Sequence, residues 1–372
     1  MVEYYNIFSI FVTSGLFLAC GLMFLFVSVP ENPLLGNYRK ARLTMAITYL
    51  LFIPMNVAEY LFNSSNDQNI PLFSTVSLSL AVSQAFLFTY VLIALLDLRF
   101  PGWRYLFRRA ILVLLLITGF FTVYAFCPEN YFKVVFYGFT GIYALLLVHY
   151  TIIFVKNYRR FRLLMDNYFS DLEAVRLHWV TFSFFAALFI GLTALLSVVS
   201  MSTLVGLLFT ILFDVFYLWF AIRLINYPFL FRIMEAAMAE EITSPEIEKT
   251  VTDSRTEMLA SPVFIALEGR IEQWIVAKGF IEKGITIDIL ASKLLTNRNY
   301  LSTCINNGRK QTFREWINEL RIEEAKTLIN QHPEMTVNEI AFQVGYTDKS
   351  HLIRQFTKQT GASFKSWKQK KS

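Results

Sequence analysis

The sequence predicts an all-α protein in two parts, a seven-helix transmembrane bundle followed by a double helix-turn-helix domain. Three observations predict it. Seven apolar segments fill residues 1–225. Two similar stretches recur near the C-terminus, offset by 50 and then 51 residues. Charge is unevenly shared: residues 1–225 carry +4, residues 226–282 carry −5 and residues 283–372 carry +7. At 55% hydrophobic, with 37 Phe and 18 Tyr, the chain is too apolar for one soluble domain of its length.

The apolar segments fall near 6–27, 43–62, 72–96, 110–127, 134–155, 179–200 and 203–225. Most reach the ~20 residues that span a hydrocarbon core. The first is expected to remain as a span. It opens Met1-Val2-Glu3, without a cationic region, and its run is too long for a cleaved leader. Lys and Arg counts then predict orientation. Loops 28–42, 97–109 and 156–178 hold twelve, against only Lys133 on the other side. This places the N-terminus outside and the C-terminus in the cytoplasm, in a multi-pass protein of the cytoplasmic membrane. The outside loops are short, so a signal must enter among the helices, sit in the bilayer or act on the loops.

Ionisable residues inside a membrane are functional candidates. Asp214 stands mid-way along the seventh segment, and His149 in the fifth is its candidate partner. At ~1.5 Å rise per residue their depths differ by about one helical turn. Glu59 lies near the outer end of the second segment, beside Asn56 and after Pro54; Gln84 lies in the third. These residues suit a polar ligand pocket or a proton-sensitive switch. The alternative is hydrogen bonding that only glues helices together.

Residues 226–262 read as an acidic cytoplasmic linker with a helix expected at 230–241. Proteolysis there would release the C-terminal part, whereas an intact linker would bring DNA to the membrane. A connecting helix follows over 263–282, where Phe264, Leu267, Ile271 and Trp274 form one apolar stripe. That stripe has two candidate partners, the first helix-turn-helix unit or a second copy of the chain in a homodimer.

The repeat pairs Thr286–Ala291 with Thr336–Ala341, Tyr300-Leu301 with His351-Leu352, and Thr312–Trp316 with Ser363–Trp367. Thr336 to Glu339 and Thr312 to Glu315 are capping boxes. Gly345 supplies the positive φ of a tight inter-helix turn. In the helix after it, Leu352 and Phe356 are expected inside, and Lys349, Ser350, His351, Arg354 and Lys358 outside. In the first copy Leu301 and Ile305 face in, and Asn299, Ser302, Thr303 and Asn306 face out. A long helix joins the copies along Phe313, Trp316, Ile317, Leu320, Ala325, Leu328 and Ile329, and His332-Pro333 ends it.

On these residues, with Val344-Gly345-Tyr346, Ser350, Arg354, Phe356, Lys358 and Gly361, residues 283–372 resemble the DNA-binding domain of the AraC/XylS family of bacterial transcription regulators. The resemblance implies two helix-turn-helix units on one long helix, with both recognition helices in successive major-groove segments of promoter DNA. It also implies RNA polymerase as a partner and a one-component regulator, here an activator at the membrane. Lys349, Arg354, Lys358, Arg309 and Lys310 would hold phosphates. Asn299, Ser302, Lys349, Ser350, His351 and Arg354 would face the bases, and Thr303 is a further DNA-binding candidate. Thr303 stands where the family often has a basic residue, which implies a weaker grip by the first unit.

No catalytic constellation is visible. The chain has no Walker loop and no GxGxxG run, and His149, His178, His332 and His351 do not space as metal ligands. The three Cys suggest neither zinc nor a disulfide framework. The expectation is therefore no enzyme and no cofactor. The rival reading is a seven-span transporter or membrane enzyme with an autoregulatory DNA-binding appendage, in which Asp214 and His149 carry a proton or substrate.

Overall fold

The computed structural model describes residues 8–64, 70–97, 103–171, 178–200, 203–243 and 262–369. Among the described residues the chain is helical, with short π and 3-10 turns and no strand. It divides into two compact units. One comprises Met1–Phe161 and Arg176–Ile242; the other comprises Arg162–Val175 and Thr243–Ser372. The division differs from the boundary expected at residue 225. Residues 162–171, from the loop between the fifth and sixth apolar segments, fold with the C-terminal unit.

In the first unit, helices α1 (Ser14–Phe26), α2 (Gly36–Ser64), α3 (Ile70–Leu96), α4 (Trp103–Phe126), α5 (Glu129–Tyr168), α6 (His178–Ser200) and α7 (Thr203–Ile225) each overlie one predicted apolar segment. A π-helical turn, Phe8–Thr13, precedes α1, and α8 (Tyr227–Thr243) contains the helix expected at 230–241. The last residues of α5 lie beyond Phe161 and so belong to the second unit. Stretches of α3, α4, α5 and α7 are long and apolar enough to cross a membrane, and Ile10–Phe26 and His178–Thr193 are shorter apolar helices.

Aromatic rings hold α1, α2 and α7 together. Phe17 meets Tyr49 at 5.4 Å, Phe213 at 5.5 Å and Tyr217 at 5.9 Å, all edge-on, the geometry that ring quadrupoles favour. The Tyr49 hydroxyl donates to the Tyr217 carbonyl at 2.5 Å. Polar side chains stitch these helices to one another, to the π-helical turn and to α3. Thr13 Oγ1 donates to Asp214 Oδ2 at 2.9 Å, Asn56 Nδ2 to Ser14 Oγ at 3.2 Å, and Gln84 Nε2 to the Tyr217 hydroxyl. Asp214 therefore does not pair with His149 as expected. Nearness in depth on two helices does not make their side chains neighbours, and Thr13, at the end of the π-helical turn, takes the carboxylate instead. The side chain of Glu59 lies outside the described residues.

The second unit contains α9 (Pro262–Val276), α10 (Ile287–Lys293), α11 (Arg298–Thr303), α12 (Phe313–Gln331), α13 (Val337–Gln343), α14 (Lys349–Thr360) and α15 (Phe364–Gln369). The stripe on α9 is buried within this unit: Phe264 packs edge-on against Tyr300 at 5.6 Å and Trp274 against Trp316 at 5.7 Å. It is therefore spent on the first helix-turn-helix and makes no seam for a homodimer. A second core gathers Ile322, Ala325 and Ile329 of α12 with Ile340, Ala341, Tyr346, Leu352 and Phe356. Both predicted capping boxes are present, on Thr312 with Glu315 and on Thr336 with Glu339. The capped backbone amides hold both glutamates below the usual carboxylate range.

Candidate nucleic-acid interface

Helix α14 starts where Asp348 Oδ1 accepts the His351 amide at 2.9 Å, and it ends at Gly361, whose φ is 69°. Its inner face buries Leu352 and Phe356 completely. Its outer face exposes Lys349, Ser350, Arg354 and Lys358, as the 3.6-residue period requires. His351 departs from the expectation. Its ring is 0% exposed and packs edge-on against Tyr346 at 4.9 Å. Positions 351, 352, 355 and 356 share one stripe, so His351 belongs to the inner face and cannot reach a base.

Helix α11 is shorter. Asn297 Oδ1 accepts the Tyr300 amide at 2.8 Å, and a π-helical turn, Cys304–Gly308, follows Thr303. Asn299 is exposed; Ser302 and Thr303 are half-buried, and Ser302 Oγ accepts from Asn306 Nδ2 at 3.0 Å. Lys310 is exposed, with φ at 56°. Arg309 is turned away from the role expected of it. Its Nη2 pairs with Glu268 Oε2 at 2.7 Å and its guanidinium lies 5.4 Å from the Trp316 ring centre. It ties α9 to α12 rather than waiting for a phosphate. Cys304 is buried beside the same glutamate; burial first, then Glu268, push its thiol up to about 12.

Residues 290–370 match the family model described as Helix-turn-helix domain. The domain is of AraC type, and it marks a DNA-binding transcription regulator. No curated protein and no solved structure matches the chain. Among the described residues no cluster of His, Cys, Asp and Glu could hold a metal ion.

The helix-turn-helix domain also holds a segment that sequence reasoning missed. Residues 162–171 lie against both halves of it. Asp166 Oδ1 accepts from Arg314 Nη1 at 3.0 Å. The Tyr168 hydroxyl donates to Asp288 Oδ2 at 2.7 Å, and the Arg298 guanidinium sits 4.5 Å from the Tyr168 ring centre. Phe169 and Thr286 form an isolated antiparallel bridge, and the Ser170 amide donates to the Ile285 carbonyl at 3.2 Å. Asp171 reaches furthest in. Both its oxygens lie 3.3 Å from Arg321 Nη1, and Oδ1 lies 3.6 Å from His351 Nδ1.

Arg321 is fully buried, so its charge needs every partner it finds. Besides Asp171 it donates to the carbonyls of Phe280 at 2.9 Å and Glu282 at 2.8 Å. Two influences compete at His351. Asp171 favours the imidazolium, but burial outweighs it, helped by Arg314, Arg354 and Arg321, and the ring falls to about 4. It is neutral at pH 7. The available signal was the carboxylates of a loop weighed only for its cations, opposite Arg314 and Arg321, two turns apart on one helix.

Proposed function

We propose that the chain is a membrane-anchored transcription regulator that reads promoter DNA with α14 and α11 and takes its signal in or at the membrane. The observation that carries this reading is the outer face of α14, where Lys349, Ser350, Arg354 and Lys358 are exposed over a buried apolar stripe. A recognition helix needs such a face, with cations for phosphates and polar groups for base edges. The +7 charge of residues 283–372 suits a polyanion.

The membrane part of the reading is supported by four long apolar helices and by the distribution of Lys and Arg, twelve against one. The helices α1 to α7 are read as seven spans, with the DNA-binding domain in the cytoplasm. Residues 162–171 belong to the DNA-binding unit. They begin in the last turns of α5, and they touch α12 and the starts of α10, α11 and α14. RNA polymerase would be the downstream partner.

Genome-wide crosslinking and immunoprecipitation of the tagged full-length protein tests the reading, beside Arg354→Ala. Discrete promoter peaks that disappear in the variant are the expected result. An intact, membrane-bound protein with no peaks above background would refute it.

A further inference from the structure

The C-terminal unit is assembled from two separate stretches of chain, and the acidic linker lies between them in sequence. Residues 162–171 come from the end of α5 onward, before α6 to α8, whereas residues 262–369 follow the linker. A single cut within residues 244–261 therefore leaves 162–171 on the N-terminal fragment, together with α1 to α8. Whether such a cut frees the DNA-binding domain depends on how firmly that short segment is seated.

The seat combines charge, ring stacking and backbone pairing. Tyr168, Ser170 and Asp171 are all buried. Cations of the domain answer the acidic and aromatic side chains of the segment: Arg314 meets Asp166, Arg298 lies over the Tyr168 ring, and Arg321 meets Asp171. The bridge from Phe169 to Thr286 and the bond from the Ser170 amide to the Ile285 carbonyl add main-chain pairing, as docked extended peptides do. These contacts reach both helix-turn-helix copies. Asp288 and Arg298 belong to the first, His351 to the second, and Arg314 and Arg321 to the helix that joins them. Among the described residues Asp171 is the carboxylate paired with Arg321, whose other hydrogen-bond partners are neutral carbonyls. Withdrawing the segment would leave a buried guanidinium without its counter-charge, which is the costly way to break a buried pair.

We propose that residues 166–171 are an internal docking peptide that holds the DNA-binding domain on the N-terminal fragment when the linker is cut. The regulator thus works attached to its apolar unit, and one cleavage in the linker does not release it. The attachment stands on the contacts above; that it keeps a DNA reader at a membrane rests on the proposed function.

The test uses the full-length protein in zwitterionic nanodiscs, with an N-terminal affinity tag and a site for a sequence-specific protease inserted between Val251 and Thr252. After complete cleavage the C-terminal fragment is expected to stay on the resin through washes in high salt, which screens exposed charges far more than buried pairs. Asp171→Asn should speed its dissociation about tenfold or more. Asp166→Asn combined with Tyr168→Phe, which leaves Arg321 paired, should speed it to a smaller degree. Hydrogen exchange of the α14 amides before cutting reports whether each variant is folded; if Asp171→Asn has lost that protection, the double variant decides alone. Prompt release of the wild-type fragment would overturn the proposal, and so would equal retention in the wild type and the folded variants. Retention of sheared genomic DNA by the uncut protein is measured on the same resin, beside Arg354→Ala. Release of the fragment with Arg354-dependent DNA retention intact sinks the docking peptide alone; a retained fragment without DNA retention sinks the regulator reading alone.

Discussion

At the turn of the first helix-turn-helix the chain places Leu295, at φ 51°; at the same point of the second it places Gly345, at φ 89°. The hydrogen bonds around the two are nearly the same. Thr296 donates to Ala291 at 3.0 Å and Tyr346 to Ala341 at 2.9 Å. The backbone repeats, yet only one copy has the residue that the left-handed region favours. Surroundings supply the reason. A Cβ on Gly345 would come within 2.2 Å of the Ile281 carbonyl oxygen, whereas Leu295 is 84% exposed. The recognition helices differ too: α14 has twelve residues with exposed Lys349, Arg354 and Lys358, and α11 has six with Asn299, Ser302 and Thr303. A duplicated fold has thus kept its hydrogen bonds while its two copies diverged in steric tolerance and charge.

The comparison can be broken most directly at the turn. Gly345→Ala should cost more than about 3 kcal/mol, combining a clash with a disfavoured φ. Leu295→Gly, which trades strain for chain entropy, should move stability by less than about 1 kcal/mol. Hydrogen exchange of the α13 and α14 amides in the full-length protein would show protection lost only in the first variant. Equal effects would mean that the two turns are under the same constraint.

Acid should separate the units next. His351 titrates at about 4 in the folded domain, below the ordinary 6.5, so the unfolded chain binds the proton first. Its contribution is complete above about pH 6.5 and is lost as pH falls toward 4, on the order of 3 kcal/mol in all. Loss of α14 protection should precede that of α11 in this window, and His351→Gln should flatten the slope. Coincident loss in both units would contradict the assignment.

On DNA, Arg354→Ala should weaken binding by about 1–3 kcal/mol. Thr303→Ala in the first unit should cost under about 1 kcal/mol, and Thr303→Arg should steepen the salt dependence by about one ion. Titration at several salt concentrations gives both quantities. The smallest effects belong to the caps: Thr312→Ala and Thr336→Ala should each cost about 1 kcal/mol, read from thermal unfolding.

Features made by neighbours in sequence were legible before any coordinates. The capping boxes at Thr312 and Thr336, the turn at Gly345, the stripe on α9 and the outward set Lys349, Ser350, Arg354 and Lys358 all rest on contacts within a few residues. The misjudged residues are those whose partners lie far along the chain. Arg309 looked like a phosphate ligand until Glu268, 41 residues earlier, claimed it. His351 looked outward until Tyr346 and Asp171 enclosed it. Asp214 and His149 were expected within about one helical turn in depth, but depth along a helix says nothing of the direction a side chain points.

The sequence by itself determined that the chain is helical, that its C-terminal quarter is a duplicated helix-turn-helix, and which face of α14 is cationic. Hydrophobic period, caps and turn residues are local, so they can be read in order. Only the tertiary structure decided that residues 162–171 belong to the DNA-binding unit, where Asp171 meets Arg321 and His351 across 150 and 180 positions of chain. A buried charge is stable only beside its counter-charge, and which carboxylate fills that place depends on how the chain returns on itself.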